Sequence, residues 1–310
     1  MGSTMESSHL APQPVIYLVE PFGGSIRRQS PNTPHVFWDD AAVTRGDGIF
    51  ESILIHRGEA VNLEKHIERF RRSAAALDLP EPGAEHWAHA TCEAVADFCR
   101  ERDSSDGGAP EQAKCVWTMT RGRESTGVPT AWLTVREIDP QVLRQRAEGV
   151  KVATAPRGYT IGGQGQEVPW LAVGAKSLNY AASMAAQRWA RGRGLDDVIY
   201  YDPATGHVLE ATTASVVAVK AGRKLRTPPA GPGVLTGTTQ QALFAAASER
   251  GWRCKARELT VADLLAAESV WLVSSVRLGV RVTQLDGAEL GAPGNEEEIR
   301  ALIGAALGLG

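Results

Sequence analysis

Cysteine is scarce in this sequence and is not arranged as a disulfide framework. The 310 residues include four cysteines, at positions 92, 99, 115 and 254, and no Cys-x-x-Cys pair. Secreted domains that depend on disulfides carry denser and more regularly spaced cysteines. We therefore expect four reduced thiols.

Long apolar runs and an excess of positive charge are also missing. No stretch approaches the length of a membrane span, and the N-terminus lacks the basic and then apolar pattern of a secretion signal. The net charge of −3 gives no reason to expect a nucleic-acid partner. These absences predict a cytoplasmic protein that binds neither membrane nor nucleic acid.

Length and composition suit two domains of medium size. With 43% hydrophobic residues, the chain can fill ordinary cores. The polar residues 1–13, with a second Met at position 5, are predicted to form a flexible tail. We expect a small N-terminal α/β domain over residues 14–146 and a larger C-terminal domain over 147–310, joined near Pro140 and the polar stretch 141–149.

Hydrophobic periodicity predicts the main elements of both domains. In the first domain we expect strands at 15–18, 48–55, 114–120 and 130–135, and helices at 63–79 and 84–102. In the second we expect a strand at 150–154, a Gly-rich loop at 158–166, a helix from Lys176 to 193 and strands between 198 and 219. A helix after Thr238, a strand at 269–273 and a helix from Glu296 complete the prediction.

Three charged residues, far apart in the sequence, match the demands of one cofactor. Lys176 follows the apolar stretch 171–173, so its amine can be desolvated and freed to condense with an aldehyde. Arg69 can bind a phosphate, helped by the amides of residues 235–240 ahead of a helix at 241–250. Glu210 can hold a pyridine nitrogen protonated. Together they predict pyridoxal phosphate as the cofactor.

These anchors belong to a larger resemblance that runs from about residue 39 to 287. It rests on six ordered blocks: residues 45–51 (Arg-Gly-Asp-Gly-Ile-Phe-Glu), His66-x-x-Arg69, residues 176–179 (Lys-Ser-Leu-Asn), 209–210 (Leu-Glu), 237–239 (Gly-Thr-Thr) and 285–287 (Leu-Asp-Gly). The chain resembles the fold-type IV pyridoxal phosphate enzymes, which include branched-chain and D-amino acid transaminases and aminodeoxychorismate lyase. Residues 237–243 and 269–275 look most like the actinobacterial proteins called aminodeoxychorismate lyase.

The resemblance implies an α+β fold similar to D-amino acid aminotransferase. A small α/β sandwich domain would stand beside a larger, β-barrel-like, cofactor-binding domain with flanking helices. It also implies a homodimer with the site near the interface. The implied cofactor-binding residues are Arg69, Lys176, Glu210, Thr213, Thr238, Thr239 and Ser275, with Lys176 catalytic and Ser274 beside the phosphate. The implied substrate-binding residues are Phe50, Arg121 and Arg123, with Arg157 as a further candidate.

Two departures from the family pattern affect this map. An Ala-Thr-Thr-Ala run follows Glu210 where many members have an Asn, and residues 237–240 read Gly-Thr-Thr-Gln instead of Gly-Ile-Thr-Arg. The arm at 120–127 has no aromatic residue, although better-known lyases tend to carry one after the Arg-Gly pair. The threonine hydroxyls in these runs can still donate hydrogen bonds to the cofactor. The sequence of the arm does not identify the substrate.

Two enzymatic readings therefore remain. A 4-amino-4-deoxychorismate lyase would release pyruvate and form 4-aminobenzoate for folate biosynthesis. A D-amino acid or branched-chain aminotransferase would pass an amine to a keto acid. A non-enzymatic cofactor carrier would need a damaged lysine or phosphate site, and the sequence shows neither. No metal is expected: His86, His89 and Cys92 share a predicted helix face, but no fourth ligand is indicated.

Overall fold

The computed structural model describes residues 13–103, 108–158, 172, 174–231 and 233–309. Nearly all of the predicted N-terminal tail lies outside these residues. So do most of the predicted Gly-rich loop at 158–166 and two of the three residues of the apolar stretch 171–173.

The first half of the chain forms a six-stranded antiparallel sheet in the order β2-β1-β6-β5-β3-β4. Its strands are β1 (Val15–Val19), β2 (Ile26–Gln29), β3 (Gly48–His56), β4 (Glu59–Ala60), β5 (Gln112–Thr120) and β6 (Thr130–Glu137). The helices of this half are α1 (Ala41–Arg45), α2 (Leu63–Ala76) and α3 (Ala84–Asp103).

The two faces of this sheet have different surroundings. On β5, Ala113, Cys115, Trp117 and Met119 point into a core that also contains residues of α2 and α3. Because side chains alternate along a strand, Lys114 points to the opposite face. That face borders the large cavity described below.

The second half forms a nine-stranded mixed sheet in the order β12-β11-β10-β13-β14-β7-β8-β9, with β15 paired to β14. Its strands are β7 (Val150–Pro156), β8 (Asp197–Tyr201), β9 (Val208–Ala211), β10 (Ser215–Lys220), β11 (Lys224–Thr227), β12 (Arg253–Ala256), β13 (Ser269–Ser274), β14 (Leu278–Leu285) and β15 (Ala288–Glu289). Its helices are α4 (Pro140–Glu148), α5 (Ala181–Arg191), α6 (Thr238–Glu249), α7 (Val261–Leu265) and α8 (Glu296–Ala306).

The central strands of the larger sheet are buried on both faces. On β13, Val270 and Leu272 contribute to one core, whereas Trp271 and Val273 contribute to another that includes residues of α6 and α8. This double burial explains why residues 269–273 read as a nearly continuous apolar run instead of an alternating one. The strand ends at Ser274, and Ser274 and Ser275 line the cavity.

The structure confirms the α+β class and most predicted elements, with two corrections. Residues 140–148 form helix α4, capped by the Asp139 side chain, where a polar joint was expected. The helix predicted to begin at Lys176 begins at Ala181, so the lysine lies in the extended segment before it. The domain boundary at 146/147 falls inside α4 and stays a prediction. Among the described residues, no helix has both the length and the apolar content of a membrane span.

Candidate active site

A cavity of about 670 Å³ lies between the two sheets. Its walls contain strand ends and loops from both halves of the chain. Eight residues singled out from the sequence line it: Phe50, Arg69, Lys176, Glu210, Thr213, Thr238, Thr239 and Ser275. Ser274 and Arg157 line it as well.

The segment that carries Lys176 is hydrogen-bonded to the first sheet. The Phe50 amide donates to the Lys176 carbonyl (3.0 Å), and the Leu178 amide donates to the Gly48 carbonyl (2.8 Å). The Lys176 amide donates to Ser73 Oγ on α2 (3.0 Å). The catalytic candidate thus lies in the second half of the chain but is positioned by the first.

The Lys176 amine lies among aromatic rings. Nζ lies 4.3 Å from the centre of the Phe50 ring and donates to Tyr180 Oη (3.1 Å). The Phe50 and Tyr180 rings meet edge to face, with centroids 5.0 Å apart. This setting holds the amine in the cavity wall without a carboxylate partner among the described residues, as a lysine that must react with an aldehyde requires.

Three buried hydroxyls meet at the N-terminus of α6. Thr239 Oγ1 donates to Ser275 Oγ (3.4 Å), and Thr238 Oγ1 lies 3.3 Å from the same oxygen. The helix begins after Gly237, where an added Cβ would lie 2.3 Å from Ser215 Oγ, so no larger residue fits there unchanged. Helix N-termini with free amides and hydroxyls bind phosphates. We call Arg69, Thr238, Thr239 and Ser275 the phosphate cup.

Behind the cup lies a charged cluster that is buried from solvent. Arg69 donates from Nε and Nη2 to the two oxygens of Glu51 (2.7 and 2.6 Å) and from Nη1 to the Thr236 carbonyl (3.0 Å). His66 Nδ1 lies 2.7 Å from Glu51 Oε2, and its Nε2 lies 3.2 Å from Ser275 Oγ. Burial alone would raise the pKa of Glu51, but the charge and hydrogen bonds of Arg69 and the contact with His66 lower it below its usual range. Burial is also the main reason that the pKa of His66 is lowered.

This cluster modifies the role predicted for Arg69. Its planar fork is held by Glu51, so a phosphate in the cup would meet the remaining N–H groups of the terminal nitrogens instead of the fork. His66 contacts the loop at Ser275, but it reaches Arg69 only through Glu51.

Glu210 lies in the cavity wall on β9 with two partners. Arg157 Nη2 donates to Oε1 (2.9 Å), and the Leu235 amide donates to Oε2 (2.9 Å). The guanidinium of Arg157 also lies 5.5 Å from the Tyr200 ring centre. These contacts hold the carboxylate in one orientation, which a hydrogen-bond partner of the cofactor ring nitrogen requires.

The structure does not bring Arg121 and Arg123 to the cavity. Arg121 donates to Asp47 (2.6 Å), and Arg123 donates to Asp39 (2.9 Å). The arm folds back on α1, because the Ala41 amide donates to the Gly122 carbonyl (2.8 Å). Within one chain these arginines pair with acidic residues, and their role as substrate ligands stays a prediction.

Lys114 and Arg136 were missed as site residues, although both line the cavity. They are direct cross-strand neighbours on β5 and β6, and the described residues provide no hydrogen-bonded or ion-paired carboxylate for Lys114. Burial, with repulsion from Arg136 and Lys176, lowers the pKa of Lys114 to about 8. The alternation of β5 places Lys114 opposite the core, so sequence alone could have found it.

The donor set fits a phosphorylated pyridine aldehyde. An amine, a hydroxyl-lined cup with a cation and an oriented carboxylate all face one cavity. Within the described ranges, no three His, Cys, Asp or Glu side chains are grouped as they would be around a metal ion. His86, His89 and Cys92 lie on α3, away from the cavity lining.

Comparisons with known proteins show the family to which the chain is similar. The family model described as amino-transferase class IV matches residues 48–285. A relative from Mycobacterium tuberculosis (strain ATCC 25618 / H37Rv), named bifunctional aminodeoxychorismate lyase / D-amino acid transaminase, is 38% identical over 283 residues, covering 89% of this chain and 95% of the relative.

Two solved structures have nearly the same fold. One is described as a hypothetical aminotransferase from Mycobacterium tuberculosis in a PLP-bound form, with a TM-score of 0.87, 36% identity and coverage of 94% of this chain and 98% of that one. The other is a fold IV-transaminase from Curtobacterium pusillum, with a TM-score of 0.85, 36% identity and coverage of 95% and 99%.

Proposed function

The chain belongs to the class IV aminotransferase family, and from this premise we propose that it is a 4-amino-4-deoxychorismate lyase that releases pyruvate and forms 4-aminobenzoate. It is an enzyme of the fold-type IV group and uses pyridoxal phosphate. Its substrates are small amino compounds.

The proposed roles follow from the positions of the side chains. Lys176 would hold the cofactor aldehyde through its amine, and the same amine would accept the proton from the substrate Cα. When bound, pyridoxal phosphate supplies an electron-accepting ring that stabilises the negative charge left on Cα. Glu210 keeps the ring nitrogen protonated, with its own orientation fixed by Arg157 and the Leu235 amide. The phosphate cup would bind the phosphate group at the other end of the cofactor.

One observation carries the lyase proposal: Lys114 and Arg136 lie side by side in the cavity wall, and Lys114 has no ion-paired carboxylate among the described residues. Aminodeoxychorismate has two carboxylates, so a pair of cations beside the reacting amine fits it. We propose that these residues take the substrate-binding role predicted for Arg121 and Arg123. In the lyase reaction, aromatisation of the product drives loss of pyruvate, and no second substrate is needed.

The second candidate function is D-amino acid transamination. The relative from Mycobacterium tuberculosis carries both names. The same lysine would serve either reaction, because both begin with removal of the Cα proton. A weak transaminase activity beside the lyase activity is compatible with the proposal. The two readings differ in whether product forms without a keto acid.

The test is to incubate the enzyme with aminodeoxychorismate in the absence of any keto acid and follow 4-aminobenzoate over many turnovers. We expect repeated turnover with an equal amount of pyruvate. Product that stops at about one equivalent of enzyme, with ready amine exchange between D-alanine and 2-oxoglutarate, would replace the lyase by the transaminase.

Glu210→Gln tests the role of the carboxylate. A neutral amide cannot keep the ring nitrogen protonated, so we expect kcat to fall by roughly 10²-fold while KM and cofactor content change little. Steady-state kinetics measure kcat and KM, and the absorbance of the bound cofactor measures the cofactor content. A kcat near that of the wild type would leave Glu210 as a partner of Arg157 only.

We also propose that the enzyme is a cytoplasmic homodimer. Phe37, Trp38, Val43 and Val128 are exposed apolar residues near the arm at 120–127, and Trp38 is 81% exposed. Exposed apolar residues that cluster in this way favour a protein partner over solvent.

A further inference from the structure

Glu51, His66 and Ser275 form a chain of hydrogen bonds that ends in the phosphate cup. Glu51 is 0% exposed and His66 is 1% exposed, so neither exchanges hydrogen bonds with bulk water. Because the pKa of Glu51 is lowered, its carboxylate is ionised and can only accept. The hydrogen shared between Glu51 Oε2 and His66 Nδ1 therefore belongs to His66.

This contact fixes the direction of the remaining hydrogen bonds. The pKa of His66 is lowered, chiefly by burial, so the ring is neutral at ordinary pH and its Nε2 carries a lone pair. Ser275 Oγ, 3.2 Å away, must then donate its hydrogen to Nε2. The oxygens of Thr238 and Thr239 lie 3.3 and 3.4 Å from Ser275 Oγ, which is left as an acceptor.

A phosphate dianion in the cup would favour the opposite direction for the Ser275 hydrogen bond. If Ser275 kept donating its hydrogen to His66, its lone pair would face a negatively charged phosphate oxygen, and the two would repel. The charges that face His66 are Glu51 from β3, Arg69 from α2 and Lys176 from the segment before α5. A bound dianion would add two negative charges beside Glu51, and a protonated His66 would offset part of them.

We propose that Glu51, His66 and Ser275 are a proton-linked positioning relay: when a phosphate dianion occupies the cup, His66 takes up one proton from solvent at Nε2, and Ser275 turns its hydroxyl hydrogen from His66 to the phosphate. The new Nε2–H donates to Ser275 Oγ, a threonine hydroxyl that gives up this acceptor turns to the phosphate, and no covalent bond to carbon or phosphorus changes. The inference rests on the proposed position of the cofactor phosphate and is independent of whether the enzyme is a lyase or a transaminase.

The test is ¹⁵N NMR of the full-length protein with labelled histidine, with and without pyridoxal phosphate. The chain has seven histidines, so the His66 signals are assigned by their loss in His66→Asn. We expect one unprotonated ring nitrogen in the cofactor-free protein and two protonated nitrogens in the holoenzyme between pH 6.5 and 8, a range set above the phosphate pKa of about 6. A His66 that stays neutral in the holoenzyme overturns the relay.

A second pair of variants keeps the test useful if His66→Asn does not fold. Ser275→Ala removes the outer end of the relay, so the cofactor should dissociate roughly tenfold faster and the holoenzyme His66 should move toward the neutral form. Ser183→Ala, another hydroxyl in the cavity wall, should leave the His66 signals unchanged. Equal effects of the two substitutions on the His66 signals would contradict the relay.

The position of the phosphate is tested separately. Arg69→Gln and Thr238→Val should each weaken cofactor retention, measured by dialysis and absorbance. Unchanged retention in both would show that the cup is misplaced, and the relay would fall with it. Weakened retention with a neutral His66 would leave the cup and overturn the relay alone.

Discussion

At the scale of single residues, the site contains two lysines whose amines have different surroundings. Lys176 Nζ is held by Tyr180 and by the face of Phe50, within reach of a substrate in the cavity. Lys114 lies deeper against Arg136, and its pKa of about 8 records the cost of burying an ammonium beside other cations. Lys176 is placed to react with the cofactor aldehyde, and Lys114 is placed to attract a substrate carboxylate.

Lys176→Ala should abolish covalent fixation of the cofactor by borohydride, because no other amine would occupy its position. Mass spectrometry of the reduced protein measures the adduct. Lys114→Met is the matched control, since it removes another cavity lysine and should leave the adduct in place. A covalent adduct in the Lys176→Ala protein would assign the chemistry to a different lysine.

Lys114→Met should also change how stability depends on pH. The folded pKa lies near 8 and the ordinary value is 10.5, so the unfolded chain binds more protons between these limits. Stability of the wild type therefore rises with pH across this window, and the cost of the charged lysine is fully present below pH 8. That cost is at most roughly 3 kcal/mol.

We expect urea denaturation to show the Lys114→Met variant as the more stable protein at pH 7, by roughly 1–3 kcal/mol, with a gap that narrows toward pH 10. Its KM for aminodeoxychorismate should rise at the same time, because a substrate cation is lost. A stability gap that does not change with pH would show that the ammonium is solvated in the folded protein.

At the scale of elements, the segment 176–178 behaves as a short extension of the first sheet. Its hydrogen bonds to Gly48 and Phe50 run along the start of β3. The approach is close: a Cβ added at Gly48 would lie 2.7 Å from Leu178 Cδ1 and 2.8 Å from the Met119 carbonyl oxygen. Glycine is required there by space, because only its missing side chain allows the segment to dock.

Gly48→Ala should therefore push the lysine segment away from β3. Overpacking of this kind costs roughly 1–3 kcal/mol, and cofactor retention should weaken together with the melting temperature. Gly291→Ala is the control, because an added Cβ there meets nothing within 4 Å. Thermal unfolding and cofactor dialysis of the two variants measure the difference. Equal behaviour would mean that the segment docks loosely.

The sequence predicted the elements around the site better than the contacts between them. Alternation located β3 and β5, and apolar runs located β13, because these patterns record burial directly. The helix at Lys176 was predicted wrongly, since the hydrogen bonds that hold it extended come from β3, about 125 residues earlier in the chain. The partners of Arg121 and Arg123 were missed for the same reason: Asp47 and Asp39 are distant in sequence.

At the scale of the whole molecule, an apolar patch flanks the arm that carries Arg123. Arg123 stacks on Phe37 (4.1 Å), and the adjacent Trp38 is almost fully exposed. Val43 on α1 and Val128 at the end of the arm are exposed as well. A second copy of the chain that covered this patch would bring another subunit close to the arm.

Trp38→Asp should convert the proposed dimer to monomers, because a charge would replace the most exposed apolar side chain of the patch. Light scattering coupled to size-exclusion chromatography measures the mass. Phe22→Asp, at a 68% exposed site on the turn between β1 and β2, should leave the mass unchanged. A dimer that survives Trp38→Asp would place the interface elsewhere.

The docking of Lys176 on the first sheet has a further consequence for unfolding. The lysine is bound through its backbone to β3, whereas Glu210 and most of the phosphate cup belong to the second half of the chain. A cofactor that contacts the lysine, Glu210 and the phosphate cup binds only when both halves are folded and in contact. Its binding therefore raises the free energy of unfolding of that state alone, by RT ln(1 + [L]/Kd), where [L] is the free cofactor concentration. Holoenzyme should therefore melt as one cooperative unit, and removing the cofactor is the change that would let the two sheets unfold at separate temperatures.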